Sequence, residues 1–223
     1  MWFVGVIKTI LTGTFNCDRI FMFKGVFMSE EDIWTRQVLC PKIESMLDDK
    51  HFVKCGQVLL YDVNIKSYKI SQDKVEANFY STECKRGKGG YQTDLLINEK
   101  ISDDEFVPML VVESKLGGIT SHDIMTYNTK AKAHKNLHKH LMYGVVIAGC
   151  KKGGATLQKF LNHSCENFDF VFCFKDLQPS VEEWSEFQDL ITQKLTLSKK
   201  KYNLLASDKK TNFTYFDRDV RTL

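Results

Sequence analysis

The chain has 223 residues, 43% apolar, 12% aromatic and 26% charged, with a formal net charge of +3. That composition suits one folded domain with a real core, and the mild charge does not by itself imply a nucleic-acid partner. No apolar run reaches the ~18 residues of a membrane span. The seven cysteines (17, 40, 55, 84, 150, 165 and 173) form no C-x-x-C pair and fit no zinc ribbon. They read as reduced thiols of a cytoplasmic protein.

Residues 1–27 are apolar, with Lys8 the one charge near their start. They lack the charged n-region and small-residue cleavage site of a good signal peptide. They are expected to be an extension, loosely ordered or the product of a mis-set start, with a single domain over 28–223. Ser29 caps a predicted helix whose first turn carries Glu30, Glu31 and Asp32, where acids favour the helix dipole. Ile33, Trp34, Val38, Ile43, Met46 and Leu47 supply its apolar face. Pro41 is expected to kink or split it.

Strands are predicted over 57–65, 75–82, 91–98 and 107–114, with a basic glycine-rich turn, "KRGKGG", at 85–90. The strand at 107–114 is almost wholly apolar, which predicts a central position covered on both faces. Gly117-Gly118 ends it. A long helix is predicted over 120–144, with Ser121 as N-cap and Gly144 as its stop. Buried strands follow at 143–149 and 168–174. An amphipathic helix runs from a Ser180 cap through 200. The polar, basic tail to Leu223 carries Phe213, Tyr215 and Phe216, expected to fill core in an edge strand or a docked segment. The fold class is α/β (α+β), a mixed central sheet flanked by helices.

The chemistry concentrates where two of these strands meet. Asp94 lies in the strand 91–98, and Glu113 and Lys115 end the strand 107–114. The acidic loop between them is short enough for a hairpin, which sets the aspartate near the glutamate. Residues two apart on a strand share a face, so Glu113 and Lys115 point the same way. Two carboxylates in one small volume suit Mg²⁺, which takes one or two of them and keeps waters for a substrate phosphate. A lysine beside them can orient the attacking water or offset transition-state charge.

The pair Thr93-Asp94, with Glu113-Ser114-Lys115 eighteen residues on, resembles the PD-(D/E)XK nuclease superfamily, the fold of many type II restriction endonucleases. Threonine stands where the family pattern has proline. The resemblance implies a restriction-endonuclease-like core of helix, three-stranded meander, helix and strand over Ser29–Gly149. It implies a Mg²⁺-dependent DNA endonuclease, with Mn²⁺ as substitute, one or two metals per site, Asp94 and Glu113 as ligands and Lys115 as the catalytic base-side residue. Many members add a first-helix acid, for which Glu44 is the better candidate and Glu31 the lesser. Double-stranded DNA is the expected partner. A homodimer and a cognate methyltransferase complete the restriction-type picture. The alternatives are a structure-specific repair, resolvase-like or phage nuclease, and a catalytically dead nucleic-acid-binding module.

Candidate DNA contacts are Lys85, Arg86 and Lys88 in the glycine-rich turn, and Ser121, His122, Asn128, Lys130, Lys132, His134 and Lys135 on the helix after the motif. That helix carries lysines and histidines and no acid from 130 to 140, so it could neutralise phosphates. His134 and His138 share a helix face, but no cysteine or acid completes a zinc set around them.

Overall fold

The computed structural model describes residues 21–23, 26–61, 89–102, 106–150, 153–163, 166–206 and 219–220. The chain builds a mixed sheet between helical layers. A short hairpin of β1 (Phe21–Phe23) and β2 (Val26–Met28) comes first. It crosses the boundary expected between 27 and 28. Ser29 then caps α1 (Glu30–Trp34), its side chain accepting from the Asp32 N–H. One turn of π-helix, Thr35–Leu39, joins it to α2 (Cys40–Glu44). Pro41 is the second residue of α2 and brings no N–H to an α-helical ladder. The wide turn just before it keeps the helix continuous, with the Cys40 N–H bonded to the Thr35 carbonyl.

The main sheet runs in the order β10 (Asp219–Val220), β9 (Phe170–Cys173), β8 (Met142–Ala148), β7 (Phe106–Leu116), β6 (Leu95–Lys100), β3 (His51–Cys55). The β7, β8, β9 and β10 neighbours are parallel, β6 pairs antiparallel with β7, and β3 pairs antiparallel with β6 at the edge. The apolar strand is therefore central, as its composition predicts. The hairpin between β6 and β7 is also present, with a register shift after Ile97 beside Pro108. A second small sheet pairs β4 (Val58–Leu60) with β5 (Gly90–Gln92). The predicted strand 91–98 is thus two strands, broken at Thr93-Asp94, because each half pairs with a different partner.

Alternation on β6, β7 and β8 divides the core in two. Leu95, Ile97, Leu110, Val112, Met142 and Val146 pack with Trp34, Ile43, Phe187 and Leu190 from α1, α2 and the C-terminal helix α5 (Val181–Ala206). Leu96, Val111, Tyr143, Val145 and Ile147 pack on the other face. Their partners are Ile124, Tyr127 and Ala131 of α3 (Ser121–Leu137) and Leu157 and Phe160 of α4 (Gly153–Asn162).

Both ends of α3 differ from the sequence reading. The N-cap of α3 is Thr120, not Ser121, because the Thr120 side chain and Asp123 close a reciprocal capping box. The helix ends at Leu137, not Gly144. His138 and His140 turn the chain there, their Nε2 atoms meeting the Leu60 and Pro108 carbonyls. Gly144 lies inside β8, where a Cβ would collide with the Phe170 ring. The sequence reading passes over β3 and α4. The strand predicted at 75–82, the 62–65 end of the first strand, most of the glycine-rich turn and the aromatics Phe213, Tyr215 and Phe216 lie outside the described residues. No helix among the described residues is long and apolar enough to cross a membrane.

Candidate active site

The cluster draws on the β5–β6 break and on β7. Asp94 sits in the break between β5 and β6. The Gly56 N–H donates to its backbone carbonyl at 2.9 Å, and the Thr93 hydroxyl donates to the Gln57 carbonyl at 2.9 Å. Its carboxylate reaches across the hairpin, where Oδ2 accepts from the Ser114 N–H at 2.8 Å. Glu113 and Lys115 flank Ser114 on the α3 side of β7, two residues apart.

Glu113 is completely buried. The Tyr143 hydroxyl donates to its Oε1 at 2.5 Å, and Lys130 Nζ lies 3.6 Å from the same oxygen. Its Oε2 is buried with no hydrogen-bond partner. Burial first, then repulsion from Asp94, pushes the Glu113 carboxyl up to about 8, against the pull of Lys130 and Tyr143. Lys115 Nζ contacts Glu31 Oε1 at 3.1 Å and lies 3.8 Å from Asp123 Oδ1. Burial works to lower its pKa, but Glu31, Asp123 and Asp94 outweigh burial and hold the ammonium above its ordinary range. Burial raises Glu31 despite the Lys115 contact, with Asp94 adding to the rise. The Tyr127 ring has Lys115 5.8 Å and Lys130 5.3 Å from its centre.

Four carboxyl groups (Glu31, Asp94, Glu113 and Asp123) therefore share a small volume with two ammoniums, Lys115 and Lys130. The surplus is negative, and one buried carboxylate oxygen is orphaned. That is an environment a cation would relieve. A cleft of about 210 Å³ opens on the Glu31 and Asp94 side of the cluster, lined by residues that include Glu31, Thr35, Arg36, Thr93, Asp94 and Ser114 but neither Glu113 nor Lys115. Among the described residues, no three His, Cys, Asp or Glu side chains form a ready metal cage. Mg²⁺ does not need one, since it binds through one or two carboxylates and completes its shell with water and substrate oxygen.

The structure brings Asp94, Glu113 and Lys115 together from the two neighbouring strands. It does not bring Glu44. That residue is exposed at the end of α2, where its charge is felt by Cys40 and Cys55. Glu31, three turns earlier, is the first-helix acid of the cluster, and its proximity to the Ser29 cap is what sets it at the strand end. Thr35 follows one turn on, its hydroxyl 2.5 Å from the Ser114 hydroxyl.

Several candidate DNA contacts are spent inside the fold. His134 is fully buried, its Nε2 bonded to the Leu59 carbonyl and its ring stacked near Tyr143. Asn128 Oδ1 accepts from the Asn167 backbone and side chain. Lys135 pairs with Asp169 Oδ2. Lys130 turns toward Glu113. His122 and Lys132 remain exposed and Ser121 half-buried at the start of α3, while Lys85, Arg86 and Lys88 lie outside the described residues. The sequence reading missed Tyr143 and Tyr127. Tyr143 lies in an apolar strand and Tyr127 between Thr126 and Asn128, and neither carries a sequence signal beyond its buried spacing.

No family model, no curated protein and no solved structure matches this chain.

Proposed function

We propose that the chain is a Mg²⁺-dependent endodeoxyribonuclease of the type II restriction kind, built on a PD-(D/E)XK-like core. The observation that carries this reading is the convergence of Asp94, Glu113 and Lys115 at the end of the central strand, with the fully buried Glu113 carboxyl close enough to Asp94 for the two to repel. Further support comes from the sheet order, in which the hairpin of β6 and β7 leads through α3 into the parallel strand β8.

Asp94 and Glu113 are the residues that would hold Mg²⁺, with Mn²⁺ as its substitute. When bound, the ion supplies Lewis-acid polarisation of the scissile phosphate and a lowered pKa for an attacking water. The protein's own groups do the positioning. The Ser114 N–H fixes the Asp94 carboxylate. The Tyr143 hydroxyl fixes Glu113 Oε1. Glu31 and Asp123 keep the Lys115 ammonium charged and aimed into the site. Lys115 then holds the nucleophilic water in line with phosphorus and offsets the charge that develops on the phosphoryl oxygens. Hydrolysis would leave a 5′-phosphate and a 3′-hydroxyl.

Digestion of a long duplex DNA with Mg²⁺ tests the reading. Discrete bands with 5′-phosphate ends are expected. A smear, or cutting confined to branched junctions, would move the protein to a structure-specific nuclease. Intact DNA across a range of long substrates would remove the nuclease assignment.

A further inference from the structure

Gly56 turns the chain between β3 and β4 with a φ of 68°, in the left-handed region that favours glycine. Its N–H donates to the Asp94 carbonyl at 2.9 Å, which ties this turn to the cluster. A Cβ on Gly56 would stand 3.0 Å from Gln92 Nε2 and 3.2 Å from a terminal nitrogen of Arg36. Two nitrogen-bearing side chains from separate elements therefore converge over one bare glycine. All three residues line the cleft, and both side chains are exposed to solvent. Arg36 donates through Nε to Asp32 Oδ1 at 2.8 Å. Among the described residues, no carboxylate takes its terminal nitrogens.

We propose, building on the nuclease reading of this cleft, that Arg36 and Gln92 hold the DNA phosphate that neighbours the scissile one on the same strand. A guanidinium offers planar N–H donors that match phosphate oxygens, and the Gln92 amide adds a neutral donor beside them. The missing Gly56 side chain leaves room for an oxygen between the two. Among the described residues of the lining there is no aromatic or apolar side chain on which a base could stack, so the backbone is the part of the strand that fits. Gln92 is two residues from Asp94, at most about 7 Å of extended chain. A strand whose scissile phosphate rests at Asp94 thus brings its next phosphate to Gln92 and Arg36. Glu31, Asp32 and Asp94 outnumber Arg36 in the lining, so the phosphates enter together with the divalent cation.

The test is anisotropy of a labelled duplex oligonucleotide titrated with the full chain over a range of KCl concentrations. Ca²⁺ replaces Mg²⁺, since it takes the same kind of oxygen ligands. Arg36→Gln should bind about tenfold more weakly, on any sequence, and its salt dependence should fall by about one unit of slope. Gln92→Ala should bind about threefold more weakly with the slope unchanged. Asp32→Asn should bind more tightly than wild type, because it frees the guanidinium and removes an opposing charge. Lys200→Gln, an exposed lysine on α5, should match wild type in both respects. Weaker binding by both Arg36→Gln and Asp32→Asn would reduce their contact to a structural ion pair and overturn the assignment. An unchanged slope in Arg36→Gln, or an equal fall in Lys200→Gln, would overturn it too. Cation-dependent duplex binding with these shifts, but no cutting in Mg²⁺, would remove the nuclease reading and leave the phosphate site standing. Cutting by a wild type whose affinity and slope Arg36→Gln shares would do the reverse. A wild type that binds no duplex with Ca²⁺ would overturn both.

Discussion

Replacing Glu113 by Gln should change the pH dependence of stability in a way no surface substitution would. The Glu113 carboxyl is fully buried and its pKa moves from an ordinary 4.5 to about 8. A raised folded pKa favours the protonated form, so the folded state gains from Glu113 at low pH. That gain is lost as pH rises from 4.5 through 8. Each pH unit in that window costs about 1.4 kcal/mol. Without a divalent cation, the wild-type chain should therefore lose about 3 kcal/mol relative to Glu113→Gln between roughly pH 5 and pH 7.5. The amide cannot ionise, yet its oxygen still accepts from Tyr143. Urea unfolding of both chains in EDTA, across that range, measures the difference directly. A gap between the two curves that stays constant with pH would refute the burial argument for Glu113. The same variant should not cut DNA, so a residue costly to the fold would be one the activity requires.

The histidine group should act in the opposite direction. Burial, the largest cause in each case, lowers His134 to about 4, His138 to about 3 and His140 to about 4. All three stay neutral in the fold, so their contribution is complete above pH 6.5 and lost as pH falls toward 4. The loss approaches ~1.4 kcal/mol per histidine per pH unit. Urea midpoints should drop below pH 6.5, and more steeply in Glu113→Gln, where no glutamate offsets them. Gly144→Ala should cost about 3 kcal/mol or more, because the new methyl meets the buried Phe170 ring. Adding Phe170→Leu should recover part of that loss in thermal unfolding. Thr120→Ala removes the α3 cap and should cost about 1 kcal/mol, read as a Tm drop of about 2–4 °C.

Much of the sheet was legible because its strands are apolar enough to need cover on both faces. The β7 run from Phe106 and the predicted strands at 143–149 and 168–174 fall on observed strands. The site was half legible. Asp94, Glu113 and Lys115 follow from strand periodicity and one hairpin, both local rules. The first-helix acid did not follow, because choosing between Glu31 and Glu44 depends on how the helix docks, and the π-turn before Pro41 alters its phase. The lysine- and histidine-rich helix misled for a related reason. Composition shows charge, but not that His134 and Lys135 are claimed by the Leu59 carbonyl and Asp169.

The most direct measurement compares wild type, Asp94→Ala and Lys115→Ala on one long duplex DNA with Mg²⁺, each chain first shown to be folded by circular dichroism. The account predicts cleavage by wild type that stops with EDTA, and none by either variant. Cutting by both variants at the wild-type rate would contradict it.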